Sequence, residues 1–245
     1  DKPLPYLPHP REDNPALGWR GIRFLLDRSD ILKSQLKAIL RAGASAPIRI
    51  LFPMVANRDE VLQLRQAIND AETELHAKSI DHAASYQVGI MIEVPAAVFG
   101  LETLLKYVDF ISIGSNDLFQ YTFAIDRGND KVAAAFQFFH PVFLNIISRI
   151  VNTVSAVPNK EVAICGEMAG NPMAVPLLIG AGIADLSMAP LQIPQVKRVI
   201  RAFSRQECRQ LFATALHTET PEAVADLIRH AFAEKQLDLA HQVLA

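Results

Sequence analysis

Three apolar runs in this chain stop at side chains able to do chemistry. Glu93 follows Gly89–Ile92 directly, Asn116 and Asp117 follow Phe110–Ile113 across Gly114 and Ser115, and Cys165 closes Val162–Cys165. An ionisable group placed straight after an apolar strand is costly to desolvate unless something pairs with it. Two partners would serve. A divalent cation bridging Glu93 and Asp117 is one, and hard oxygen ligands with open positions suit Mg2+. A neighbouring Lys or Arg is the other, and the residue types leave both open. Arg127 sits in the charged turn Asp126–Asp130, and Arg20 in Gly18-Trp19-Arg20 with Arg23 one helical turn on. Taken alone, Asn116-Asp117 also reads as a capped turn, with Asp117 capping a helix over Leu118–Ile125. A lone cysteine such as Cys165 is ordinarily core filling. Cys208, inside the polar run Arg205–Gln210, reads as structural.

The elements that must position these groups alternate between strand and helix. Amphipathic stretches at Leu17–Leu26 and Ile31–Leu40 come first, the second capped by Ser29 or Asp30. Ile48–Phe52 reads as a strand stopped by Pro53, and Asn57 caps a long helix to about Lys78. Tyr86–Ile92 is the next strand, and Pro95 opens a helix spanning Val94–Tyr107. Phe110–Ile113, Val162–Cys165 and Leu186–Met188 complete five strands. Helices are expected from His140 or Pro141 to Val157, after Asn171-Pro172, over Pro194–Phe203, over Arg205–Leu216 and over Pro221–Lys235. Such alternation implies parallel pairing through right-handed crossovers, in an α/β fold that is an open doubly wound sheet or part of a barrel. In a barrel, side chains at strand C-termini share one functional rim.

Composition narrows the function classes. The chain has 245 residues, 50% hydrophobic and 20% charged, which is ample for one core. A net charge of −2 argues against nucleic acid as a partner. Two cysteines make no disulfide framework, and a reducing cytoplasm is expected. No apolar run approaches the ~20 residues a membrane helix needs. The start, DKPLPYLPHP, carries four prolines and no initiator Met. Residues 1–15 are expected to be an extended lead-in from a longer protein, and 236–245 a frayed tail. The whole of 1–245 reads as a single domain, without internal repeat or linker.

Four stretches, taken together and in order, resemble the phosphoenolpyruvate (PEP)-utilising enzymes: NPALGWRGIR at 14–23, GIMIEVPAA at 89–97, ISIGSNDLFQYTFAIDRGND at 111–130 and AICGEMAG at 163–170. The resemblance is nearest to enzyme I of the bacterial sugar phosphotransferase system and its multiphosphoryl-transfer relatives. It implies a (β/α)8 TIM-type barrel, of which these would be the last five strands. By the same resemblance Glu93 and Asp117 hold Mg2+, and Asn116 contacts the phosphate of PEP. Arg20 and Arg127 supply it with positive charge, since a planar guanidinium fits phosphate oxygens in two-point contact. Arg23, one helical turn on, would be a second contact. Cys165 would be the acid/base that protonates the enolate of pyruvate, because a thiol with pKa near about 8.5 is mostly protonated at neutral pH. None of the seven histidines lies in the family's phosphohistidine motif, and His140 reads as a helix cap or packing residue.

The function so implied is that of the PEP-binding portion of a PEP–protein phosphotransferase. The intact protein would phosphorylate a histidine in an N-terminal domain, then a histidine-containing carrier protein, and release pyruvate. A homodimer is expected, because the family dimerises through this domain. Two rivals remain: the PEP domain of a PEP synthase or pyruvate phosphate dikinase, and a non-catalytic PEP-sensing or dimerisation module.

Overall fold

The computed structural model describes residues 12–237; the expected extended lead-in and frayed tail lie largely outside these. Five parallel strands form one sheet: β1 (Ile48–Phe52), β2 (Tyr86–Ile92), β3 (Phe110–Gly114), β4 (Glu161–Cys165) and β5 (Asp185–Leu186). Their spatial order is β1-β2-β3-β4-β5. A doubly wound sheet reverses its order at a switch point, whereas a barrel adds strands in sequence. The fold is therefore α/β with the strand order of a partial barrel.

Before β1 come α1 (Ile22–Asp27) and α2 (Ser29–Ala42), and α3 (Arg58–Ala77) links β1 to β2. After β2 follow α4 (Pro95–Phe99) and α5 (Leu101–Leu104), and after β3 come α6 (Ser115–Phe123) and α7 (Pro141–Ser155). Short α8 (Glu167–Gly170) and α9 (Val175–Ala181) separate β4 from β5. The chain then finishes with α10 (Ile193–Ala202), α11 (Arg205–Ala215) and α12 (Pro221–Glu234).

Local signals account for most of these boundaries. The Asn57 side chain accepts from the Glu60 N–H at 3.0 Å while Glu60 accepts from the Asn57 N–H at 3.1 Å, a reciprocal cap that starts α3. His140 caps α7 as expected, accepting from the Val142 N–H at 3.2 Å, with Pro141 as first helical residue. Several expectations fail. The fifth strand runs over Asp185–Leu186 rather than Leu186–Met188, and the helix expected from Asn171-Pro172 begins only at Val175. Asp117 is not a cap: α6 begins at Ser115, which puts Asp117 inside its first turn. The single helix over Val94–Tyr107 is two short ones, broken at Gly100. The stretch Leu17–Leu26 is helical only from Ile22, after a 3-10 turn at Pro15–Leu17, and α2 starts at Ser29 behind Arg28. Tertiary contacts, more than local pattern, choose where a short element begins and ends.

The two faces of the sheet differ. Ile50, Phe52, Val88, Ile90, Ile92, Ile111, Ile113 and Ile164 are buried on the helix-covered side. In register on the other side stand Met91, Ser112 and Ala163, then Glu93, Gly114 and Cys165 one step beyond along the strands. Near the strand N-termini Arg49 reaches Glu161 at 2.7 Å and lies 3.9 Å over the Phe110 ring. Gly89 makes room for that ring, since a Cβ there would sit 2.4 Å from its carbons. No helix of the described residues is long and apolar enough to cross a membrane.

Gly89→Ala is expected to cost about 1–3 kcal/mol of stability by overpacking. Adding Phe110→Leu should recover part of that loss in urea denaturation; an unperturbed Gly89→Ala would mean the ring moves aside freely.

Candidate active site

The parallel register gathers the chemistry at one rim. Ile92 pairs with Ile113, and Gly114 with Cys165, so the residues closing β2, β3 and β4 are neighbours. Glu93 comes first beyond β2 and is only 4% exposed. Its Oε1 accepts the Met54 N–H at 2.7 Å. Met54 adopts a left-handed backbone conformation, φ 60°, uncommon outside glycine. The neighbour on the other side is bare: a Cβ on Gly114 would lie 2.6 Å from Glu93 Oε2. Burial pushes the Glu93 carboxyl up to about 7, and the charge and hydrogen bonding of Asp117 push the same way. The Met54 N–H and the Arg20 guanidinium offset part of this.

Asp117 projects from the first turn of α6, where the helix dipole favours a carboxylate. Arg20 grips it with both ends of its fork: Nη1 donates to Oδ1 at 3.3 Å and Nη2 to Oδ2 at 3.2 Å. Arg20 Nη1 also donates to the Tyr121 hydroxyl at 3.1 Å. That hydroxyl donates to the Ala16 carbonyl and lies 3.8 Å from Met54 Sδ. Tyr121 stands four residues after Asp117, one turn along the same helix face, so both meet Arg20 together.

A second network ties the β3 and β4 ends. Ser115 Oγ donates to the Cys165 carbonyl at 2.7 Å. Asn116 Oδ1 accepts the Glu167 N–H at 3.0 Å, and its amide donates to Glu167 Oε1 at 3.3 Å. Gly166 turns at φ +90° directly against this pair: a Cβ would stand 2.4 Å from Ser115 Oγ and 2.8 Å from Asn116 Oδ1. Cys165 Sγ lies 3.5 Å from the Ile113 carbonyl and 4.0 Å from Met91 Sδ. Burial raises the thiol pKa, Ser112 offsets part of that rise, and the charges of Glu93 and Asp117 add to it. The site thus keeps this sulfur protonated.

Of the residues expected from sequence, Glu93, Asn116, Asp117, Cys165 and Arg20 converge. Arg127 does not: it lies on the exposed turn after α6, held by its backbone N–H to Gln120 Oε1 at 3.3 Å, with no side-chain partner among the described residues. Arg23 is likewise turned away, donating to the Leu17 and Gly18 carbonyls at 2.7 and 3.3 Å. Cys208 is fully buried, and burial raises its thiol to about 11, as suits core filling. Tyr121 and Met54 were not foreseen. The spacing of Tyr121 from Asp117 was a usable signal, whereas a backbone N–H leaves none.

Both sequence-level partners for Asp117 bear on the geometry. A cation is already present on Asp117, the Arg20 guanidinium, whereas Glu93 is bonded to the Met54 backbone N–H. The donor set is two hard carboxylates, and among the described residues no third His, Cys, Asp or Glu joins them. Mg2+ is bound by one or two carboxylates with waters and substrate phosphates filling the other positions, so this pair fits it. The cleared space at Gly114 beside Glu93 Oε2 agrees with that fit.

Comparison with known families decides the kinship. Residues 1–205 match the model of the PEP-binding domain of PEP-utilising enzymes. The chain belongs to the PEP-utilising enzymes. It is 41% identical over 230 residues to the phosphoenolpyruvate-protein phosphotransferase of Buchnera aphidicola from Acyrthosiphon pisum, covering 94% of this chain and 40% of the relative. The like-named protein of Haemophilus influenzae is 39% identical over 238 residues, covering 97% and 41%, and that of Mycoplasma pneumoniae 40% identical over 237, covering 97% and 40%. The chain thus spans about two fifths of the length of the curated relatives it matches. In architecture it is similar to a citrate lyase from Burkholderia xenovorans, with a TM-score of 0.53 at 15% identity, covering 85% of this chain and 70% of that one.

A carboxyl raised on folding keeps its proton between about pH 4.5 and 7, where the unfolded chain has lost it. Metal-free stability should therefore fall as pH rises through that window. Glu93→Gln keeps an acceptor for Met54 and cannot ionise. In metal-free urea denaturation near pH 8 it should be the more stable chain by on the order of 2 kcal/mol, an advantage gone by about pH 5. Equal stability across the range would mean Glu93 is not electrostatically burdened.

Proposed function

We propose that this chain is the PEP-binding portion of an enzyme I-type PEP–protein phosphotransferase. The observation that carries the reading is the meeting of Glu93, Asp117, Asn116, Arg20 and Cys165 at one strand-end rim of a PEP-utilising domain. The names of the relatives favour it over PEP synthase or pyruvate phosphate dikinase.

Mg2+ held by Glu93 and Asp117 would polarise the phosphate and carboxylate oxygens of PEP and neutralise charge building on the enolate oxygen. Arg20 binds the phosphoryl oxygens in two-point contact. Asn116, held by Glu167, offers its amide at the same rim. Arg127, without a side-chain partner among the described residues, supplies a further charge once phosphate is bound. The bond between phosphorus and the enolic oxygen breaks as the phosphoryl group passes to a histidine nitrogen elsewhere in the intact protein. The oxygen's electron pair restores the carbonyl, and the methylene carbon takes the Cys165 proton, giving pyruvate and a thiolate. Because burial and two neighbouring carboxylates disfavour that thiolate, it regains a proton from water readily. In the same reading the histidine passes the group to a histidine-containing carrier in sugar uptake, and the protein is a cytoplasmic homodimer.

Two expected outcomes test this in the full-length protein. First, calorimetric titration should show PEP binding that strengthens with Mg2+; no binding under either condition would sink the reading in favour of a structural module. Second, Arg127→Ala should weaken PEP binding and slow histidine phosphorylation by roughly a hundredfold. Cys165→Ala should still phosphorylate the histidine once while losing rapid pyruvate release. Equal loss of phosphorylation in both variants would remove Cys165 from the carbon protonation step.

A further inference from the structure

Arg20 enters the site from a stretch with little local stiffness. It stands between Gly18 and Gly21, and Gly21 turns at φ +55°, a region that favours glycine. Its long side chain adds several rotatable bonds. Two-point contact with a phosphate nevertheless requires a guanidinium held in one plane and one direction. Two acceptors on one helix share that task. Asp117 takes the end of the fork, with one oxygen on Nη1 and one on Nη2. Tyr121, one turn along α6, takes Nη1 a second time at 3.1 Å.

We propose that Tyr121 is a positioning residue for Arg20: its hydroxyl stops the guanidinium from rocking on Asp117, and so aims the Nε–Nη2 edge at the substrate phosphate. The inference rests on the PEP reading above and adds a residue to it. A guanidinium joined to a carboxylate alone can tilt out of the shared plane, or slide from end-on to side-on pairing. A further acceptor at the Nη1 corner removes that freedom, because three fixed points define the orientation of a plane. Asp117 and Tyr121 belong to the same helix, so the three points move as one body.

The polarity of the hydroxyl is settled by its neighbours. The Ala16 carbonyl can only accept, so it takes the phenolic proton. Arg20 can only donate, so it meets a lone pair of the same oxygen. Giving its proton to a carbonyl makes that oxygen a better acceptor. Burial raises the Tyr121 phenol, with Arg20 pulling the other way, and the group stays protonated. The Ala16 bond has a second effect. It pins the 3-10 turn at Pro15–Leu17, so one hydroxyl restrains both the head of Arg20 and the chain four residues before it. Arg23 braces the same turn through the Leu17 and Gly18 carbonyls. Bracing the turn would by itself explain the Ala16 bond, but not the bond to Nη1.

The test is a double-mutant cycle in the full-length protein, read as kcat/KM for PEP in histidine phosphorylation. Tyr121→Phe keeps the ring and removes the hydroxyl. Made alone, it should lower kcat/KM about tenfold. With Arg20→Ala in place no fork remains to be aimed, and adding Tyr121→Phe should then cost less than about twofold. Should Arg20→Ala fail to fold, Arg20→Gln replaces it, since an amide can still donate to Asp117 but brings no charge to a phosphate. Equal losses in both backgrounds would make Tyr121 a brace for the turn and overturn the proposal, as would no loss in either. If Arg20→Ala itself left kcat/KM unchanged, the phosphate role of Arg20 would fail, and the positioning role with it. Absence of PEP-dependent phosphorylation in the unaltered protein would instead overturn the PEP reading.

Discussion

Two carboxylates crowded at the ends of adjacent parallel strands are the constraint around which this rim is built. Burial makes the Glu93 charge expensive, and the neighbouring Asp117 opposes its ionisation further. The surrounding chain divides the burden. A left-handed turn at Met54 aims one backbone N–H at Glu93, the start of α6 lies under Asp117, and Arg20 bridges Asp117 to Tyr121. None of these fully offsets the cost, and the Glu93 carboxyl stays well above its ordinary range.

The negative field has a second consequence. Cys165 sits at the end of the next strand, where burial first and the charges of both carboxylates in addition hold its proton more firmly than in a free thiol. A nucleophilic cysteine needs the opposite surroundings, with positive charge or a helix N-terminus to hold a thiolate. These surroundings favour the protonated thiol over the thiolate. Its position is set by short-range ties, the Ser115 bond to its carbonyl and the Gly166 turn, and these also hold Asn116 against Glu167.

The asymmetry of the sheet keeps this chemistry in place. Its helix-covered face is a layer of mostly aliphatic side chains with Phe52, which fixes the strands and therefore the register. The opposite face is chosen for clearance. Gly89 admits the Phe110 ring at the N-terminal end, and Gly114 admits Glu93 at the C-terminal end. A one-residue slip in register would turn Glu93 and Cys165 into the helical layer, where neither could be tolerated.

Much of this was legible in the chain itself. Continuous apolar runs marked the buried parallel strands, and their C-terminal residues named Glu93, Asn116, Asp117 and Cys165, because a barrel puts strand ends on one rim. His140 and Asn57 announced their helix starts through chemistry that acts over two or three residues. What was not legible depended on groups far apart in sequence. Barrel-like strand order became visible only in the pairing of five strands, since periodicity is the same in either architecture. The grip of Arg20 on Asp117 spans 97 residues, and Met54 reaches Glu93 across 39 through a backbone N–H that every non-proline residue has. Sequence determined which residues could bear charge, accept a metal or give a proton. Tertiary structure alone decided which of them face one another, because desolvation and Coulomb forces act through space and leave no period in the chain.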